Sequence, residues 1–560
     1  MRLHSLLLLP PILLLGVAPA PAQSGGRLLQ RHRGAQAGDE CGRGLAVVGD
    51  VDGDGAADYA LGIPRADPYA RTDAGVVEIR SGADGRLLRS LIGQAAGDWL
   101  GSALAAPGDL DRDGVPDLVA GAGNASGHAG SVLAWSGDDG RLLWRVDGAA
   151  SLDRLGDALA PVPDLDGDGV TEILAGAPGA DPNGVLNAGT AWLLSGATGA
   201  VLTVFAGSGA NDKFGSALAA VGDFDGDGAA DLAVGAPYAD RGLANTGRVE
   251  VFSGAGGALL AAFDGPSEEA RFGYAIAGLD DLDGDGVPEL LVGAPNAGLA
   301  PGAAWVLSGR TGAPLYQHFE GRSHAFGQRV AACGDLDGDG LADYLVGIPY
   351  WDDKEKQLAS CGRVILFSAG DGRKLWELTG AGSGDTLGDA LAAGDLDGDG
   401  RAELLLGAPF ADPGGRTHGG RVDCWRFDHE PILRPSAGAV SLAAGGTIEF
   451  ELQFPLGEAG CSYALLASRA GPGPNFFRGA YLPLTPDPLF WKMEDGRYPT
   501  AFQDPRGTLD LLARAEAKLA VPPGSTLKRP GPLWLTAVSF RPNGGGAGFV
   551  ARAVRIDLLP

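Results

Sequence analysis

DVDGDGAAD, residues 50–58, recurs as DLDRDGVPD from Asp109, DLDGDGVTE from Asp164 and DFDGDGAAD from Asp223. It returns as DLDGDGVPE from Asp281, DLDGDGLAD from Asp335 and DLDGDGRAE from Asp395. Successive copies begin 54–60 residues apart. A fixed period of this length marks a repeat fold in which each copy belongs to one supersecondary unit. Acids stand at positions 1, 3, 5 and 9 of every copy. They are Asp50, Asp52, Asp54 and Asp58 in the first, and Asp109, Asp111, Asp113 and Asp117 in the second. The third has Asp164, Asp166, Asp168 and Glu172; the fourth has Asp223, Asp225, Asp227 and Asp231. The fifth has Asp281, Asp283, Asp285 and Glu289; the sixth has Asp335, Asp337, Asp339 and Asp343. The seventh has Asp395, Asp397, Asp399 and Glu403.

Four carboxylates within nine residues repel one another unless a cation sits among them. Hard oxygen donors at this density suit calcium, which takes six to eight oxygens in irregular geometry; magnesium demands a stricter octahedron. Glycines at positions 4 and 6 allow the backbone to wrap tightly. Arg112 replaces the first of them in copy two and spares the acids. A single copy leaves the lesser reading of a solvated turn open, since Asp and Gly are common turn residues. Seven copies with every acid in place do not. The expected cofactor is therefore Ca2+, up to seven ions. The loop resembles the first half of an EF-hand loop, but Leu61 stands at position 12, where that motif has Glu, and strand-like residues follow.

The flanks repeat as well. Before each loop comes an apolar–Gly pair: Cys41-Gly42, Leu100-Gly101, Leu155-Gly156, Phe214-Gly215, Phe272-Gly273, Phe326-Gly327 and Leu387-Gly388. After each loop comes a short apolar run ending in GAP or a variant, at Gly62, Gly121, Gly176, Gly235, Gly293, Gly347 and Gly407. A variable loop, a strand such as RVEVFSG (248–254) and a further strand such as LLAAFDG (259–265) complete the unit. Four short strands with turns between them form an antiparallel sheet. Seven such sheets predict an all-β, seven-bladed β-propeller over residues 23–428. The last copy stops after GRVDCWRF (420–427), and the missing strand is expected at the N-terminus, GRLLQRHRG, residues 26–34.

This ordered set of FG, acidic loop and GAP resembles the FG-GAP repeat of the integrin α-subunit propeller. The resemblance implies a calcium-binding propeller used for extracellular adhesion or recognition. Integrins carry the acidic loop in only some blades. Its presence in all seven is more similar to secreted bacterial FG-GAP proteins.

Residues 1–22 read as a signal peptide: Arg2, an apolar core from Leu6 to Val17, then Ala20-Pro21-Ala22. The mature chain is thus expected to be exported, extracellular or periplasmic, with no membrane insertion. The net charge of −27 is close in size to the 28 loop acids. The acidity is then mostly metal-site chemistry, and nucleic acid, which needs a basic face, is not an expected partner. Five cysteines are too few for a disulfide scaffold. Cys41 with Cys424, or Cys333 with Cys361, are candidate bridges; buried free thiols are the favoured reading.

A Pro-containing stretch, 429–445, leads into residues 446–560. There GTIEFELQF (446–454), LWLTAVSF (533–540) and FVARAVRIDLL (549–559) read as strands of a small β-sandwich. SLAAGGTIEF, YALLASRAGPGP and RAVRIDLLP resemble a C-terminal module of secreted planctomycete-like proteins.

The loops between second and third strands are long and lie on the face away from the acidic loops. They carry Tyr69, Tyr238, Tyr350, Trp351 and Phe410 beside Asp67, Asp240, Asp352 and Asp412. Aromatics next to polar groups suit recognition of protein or polysaccharide surfaces. The competing reading is that Pro-x-Ala-Asp only shapes a turn. Catalysis has little support: the histidines are scattered without zinc spacing. A recognition module that is not an enzyme is the expected function. A polysaccharide-active lyase or hydrolase on the same scaffold, or a purely structural envelope protein, is the alternative.

Overall fold

A computed structural model describes residues 26–427 apart from 297–301, 321–324 and 338, together with backbone strands between 432 and 559. The repeat region is a ring of seven four-stranded antiparallel sheets. In the first blade the inner strand is Leu45–Gly49. Asp58–Ile63, Val76–Arg80 and the outer strand Leu87–Ile92 follow in order. Inner strands neighbour one another around the ring, and that of the seventh blade, Ala390–Gly394, returns to Leu45–Gly49.

The second strand of every blade is buried on both faces, from Asp58–Ile63 to Glu403–Ala408. This explains why it reads as a continuous apolar run instead of alternating: each blade is sandwiched between two others. The core is accordingly seven inter-blade layers. Val77 and Ile79 of blade one meet Leu118 and Ala120 of blade two. The last layer joins Leu405 and Val422 to Tyr59 and Leu61.

The two motif glycines are inter-blade contacts. A Cβ on Gly62 would lie 2.0 Å from the carbonyl oxygen of Gly101 in the next blade, and one on Gly235 2.1 Å from that of Gly273. The GAP glycine therefore lets the backbone of the following FG segment press directly against it.

The seventh blade is built from both ends of the ring. Gly26–Arg33 pairs antiparallel with Arg421–Phe427, from Gly26 opposite Phe427 to Arg33 opposite Arg421. Arg31 Nε lies 2.6 Å from Oδ1 of the buried Asp423. Cys41, Cys333, Cys361 and Cys424 are buried free thiols. Neither candidate bridge is formed, and the favoured reading holds for these four.

C-terminal to the ring, Ile432–Pro435, Gly446–Gln453, Arg514–Val521 and Phe502–Gln503 form one sheet. A second includes Ser462–Ser468, Gly531–Phe540 and Val554–Leu559. The run 549–559, expected as one strand, yields two, Ala547–Val550 and Val554–Leu559. The side chains that would pack a sandwich lie outside the described residues, as do the signal segment 1–22 and Cys461. Among the described residues no helix is long and apolar enough to cross a membrane.

Candidate metal centres and the opposite loop face

Each acidic loop joins an inner strand to a second strand, and its backbone amides gather the acids. In the first loop Asp50 Oδ1 accepts from Gly53 N at 2.7 Å, and Asp50 Oδ2 from Gly55 N at 2.9 Å. Asp52 Oδ1 accepts from Asp54 N at 3.2 Å, and Asp54 Oδ1 from Ala56 N at 3.0 Å. Gly53 and Gly55 have φ of 77° and 92°, which lets successive amides face one carboxylate. The pattern repeats in the other loops, for instance Gly226 N and Gly228 N to Asp223, and Gly400 N to Asp395. Arg112, at the glycine position of loop two, holds the same left-handed conformation at φ 63°.

The position-9 acid closes the loop from below and is wholly buried in every blade. Asp58 Oδ2 accepts from Val51 N at 2.8 Å, and Oδ1 from Gly82 N in the turn between third and outer strands at 3.0 Å. The longer Glu sits differently. Glu172, Glu289 and Glu403 each use Oε2 to accept from Leu165, Leu282 and Leu396 N. Their Oε1 atoms are buried with no hydrogen-bond partner. A buried carboxylate oxygen without a donor is costly unless a cation meets it.

Carboxylate oxygens of Asp164, Asp166, Asp168 and Glu172 lie within 4.8 Å of one another. So do those of Asp50, Asp52 and Asp58, of Asp109, Asp111 and Asp117, of Asp223, Asp225 and Asp231, and of Asp281, Asp283 and Asp285. Asp54, Asp113, Asp227 and Glu289 stand outside these groups. Burial, and then the neighbouring acids, push the position-9 carboxyls up. Asp117 rises to about 6, and Glu172, Glu289, Asp343 and Glu403 to about 7. Convergent hard oxygens, orphaned buried oxygens and destabilised carboxylates are what a hard divalent cation would satisfy, so the residues fit one.

On the opposite face, each loop acid is spent on its own turn. Asp67 Oδ1 accepts from Asp73 N, Asp240 from Asn245 N, Asp352 from Ser360 N and Asp412 from His418 N, at 2.7–2.8 Å. For these acids the turn-shaping reading is right. The aromatics remain accessible: Tyr69 is 79% and Tyr350 53% exposed. Tyr238, Trp351 and Phe410 are half-buried under Arg271, Arg363 and Arg43, at 5.1, 4.6 and 5.9 Å from guanidinium to ring. Sequence reading missed these stacking arginines, and also Trp99, which lies under Arg65 at 4.4 Å. The partners are 12 to 367 positions apart in sequence, so the fold, not the local motif, brings them together. His32 and His318 bond Tyr59 and Tyr344 at blade interfaces.

A family model described as "FG-GAP repeat" matches residues 100–135, 155–194, 214–252, 272–307 and 387–423. Integrin alpha-5 of Xenopus laevis is 33% identical over 163 residues, 28% of this chain and 15% of that protein. Integrin alpha-V of Gallus gallus is 30% identical over 210 residues, 35% of this chain and 20% of that protein. The chain thus spans a fifth or less of the curated relatives it matches. A solved structure, "Structure of Dos1 propeller", aligns at TM-score 0.39 and 14% identity, covering 66% of this chain and 75% of that one. The matched segments fall on blades two to five and seven, and the ring they belong to, residues 26–427, is an integrin α-like FG-GAP repeat propeller.

Proposed function

We propose that this chain is an exported, calcium-loaded propeller that recognises an extracellular protein, with the ions structural and no catalysis. The observation that carries the calcium reading is the buried, unpartnered Oε1 of Glu172 among three converging aspartates. Acids 1, 3, 5 and 9 of each loop would hold one ion, with a backbone carbonyl near position 7. Bound calcium would supply the positive charge that the four carboxylates lack. The chain's own residues do the rest. Loop amides orient the acids, and the position-9 acid ties the loop to the second strand. In the Asp loops this acid also ties it to the outer turn. Extracellular calcium is abundant enough to fill sites of roughly 10⁻⁴–10⁻³ M affinity.

The recognition reading rests on the accessible rings Tyr69 and Tyr350, and on the arginine-stacked rings Tyr238, Trp351 and Phe410 in the equivalent loops of blades four, six and seven. Kinship to integrin α chains favours a protein over a polysaccharide partner.

Two measurements test this. Calcium at a hundredfold above its dissociation constant should stabilise the chain by about 2.7 kcal/mol per site over a chelated sample. Melting curves that coincide in the two conditions would remove calcium from the account. Tagged chain should also capture an extracellular protein in calcium, and the double change Tyr350→Ala with Trp351→Ala should abolish capture. Retention of the partner by that variant would move recognition off this face, and shortening of a glycan would favour an enzyme.

A further inference from the structure

Arginines from the blades themselves reach the acidic loops, and they do so unevenly. In blades one, two and six the turn between third and outer strands reads Asp-Gly-Arg, at 84–86, 139–141 and 371–373. Arg86 Nη2 lies 2.7 Å from Oδ2 of Asp52, Arg141 Nη2 2.5 Å from Oδ2 of Asp111, and Arg373 Nη2 2.8 Å from Oδ2 of Asp337. All three aspartates are loop position 3. In blade five Arg310, earlier in the same turn, sits 3.1 Å from Asp285 Oδ2 and donates to the Asp285 carbonyl at 2.7 Å. In blade seven Arg426 lies 2.8 Å from Asp397 Oδ2 and also pairs with Asp399.

Blades three and four differ. Their turns read Gly-Ala-Thr-Gly-Ala (196–200) and Gly-Ala-Gly-Gly-Ala (254–258), with Ala200 and Ala258 at the arginine position. Among the described residues no cationic side chain pairs with Asp164, Asp166, Glu172 or any acid of the fourth loop. Arg112 reaches across from loop two to Asp168, donating to its carbonyl and lying 3.7 Å from its carboxylate, and is 61% exposed.

A guanidinium on the outer oxygen of a ligand carboxylate has two effects. It relieves repulsion among the acids while the loop is empty, and it repels a dication bound among them. Both reduce what the loop gains by taking an ion. Loop three brings all four of its acids within 4.8 Å of one another, beside a buried, unpartnered Glu172 Oε1, the latter a feature that Glu289 and Glu403 share.

We propose that the loops are of two kinds. Those of blades one, two, five, six and seven carry a resident arginine, hold their shape without an ion and bind calcium weakly. Those of blades three and four have no arginine of their own blade, loop three meeting only the exposed Arg112 of loop two, and they bind calcium tightly and depend on it. This rests on the calcium reading above.

The test is a calorimetric titration of the full chain, stripped of metal by chelator, with calcium chloride. Two sites should bind about tenfold or more tightly than the other five, the scale of one added unit charge near a dication. Ala258→Arg, at an exposed turn position, should move one site from the tight class to the weak one. Arg86→Gln with Arg141→Gln, at side chains 54% and 55% exposed, should move two sites the other way. Seven indistinguishable sites, or a tight class unchanged in these variants, would overturn the division while leaving calcium binding intact. No uptake of calcium at all would instead remove the calcium reading, and the division with it.

Discussion

Tyr69 shows how a single residue records a conflict between folding and use. It sits in the one-turn helix Pro68–Ala70 at φ 53°, where the same turn of blades three and seven has Asn183 at 54° and Gly414 at 64°. A bulky side chain in the left-handed region costs about 1–2 kcal/mol, part of which glycine's own unfolded freedom offsets. Tyr69→Gly should therefore raise stability to chemical denaturation by ~0.5–1 kcal/mol and weaken partner capture together. A stability that falls would mean the ring is held by packing that outweighs its strain. At this scale the acids were legible in sequence because they recur at fixed positions. Their arginine partners were not, because Arg86 and Asp52 are separated by 34 residues and meet only when two turns share one end of a blade.

At the scale of the element, the repeat is understandable only as half of a contact. Strand order and turn positions could be read from one copy. The reason for the GAP glycine could not, since its neighbour is the FG glycine of the following blade. Gly235→Ala should cost about 3 kcal/mol, because its Cβ would meet the Gly273 carbonyl 2.1 Å away in a layer with no slack. Gly226→Ala, at φ 82° with open space around the added methyl, should cost only about 1 kcal/mol of backbone strain. Similar losses in denaturant titrations of the two variants would count against the close inter-blade approach as the reason for the motif. Apolar runs such as Glu403–Ala408 were similarly ambiguous in isolation, because a strand covered on both faces shows no alternation.

For the whole molecule, among the described residues, a half-buried histidine bonds a tyrosine at two of the seven blade interfaces. His32 meets Tyr59 where blade seven abuts blade one, and His318 meets Tyr344 at 2.7 Å where blade five abuts blade six. Burial lowers both imidazoles to about 4. The unfolded chain takes up these protons first, near pH 6.5, so stability present above that value is lost as pH falls from about 6.5 towards 4. Allowing for partial exposure, each contributes about 2 kcal/mol to that loss. The acidic loops titrate in the same range with opposite sign, which makes the informative quantity a difference. His32→Gln with His318→Gln should lose less stability than the parent chain between pH 6.5 and 4. Parallel losses would show that other groups govern acid sensitivity.

The strand Gly26–Arg33 has a consequence in time. It leaves the ribosome early, yet its hydrogen-bonding edge belongs to Arg421–Phe427, and Arg31 and Asp423 are 392 residues apart. At about 5–20 residues per second, synthesis alone leaves the strand without its neighbour for roughly 20–80 s. Every blade can be complete by then except the one that shuts the circle. Nascent chains arrested before residue 421 should consequently expose this segment to protease, and chains released after residue 427 should hide it.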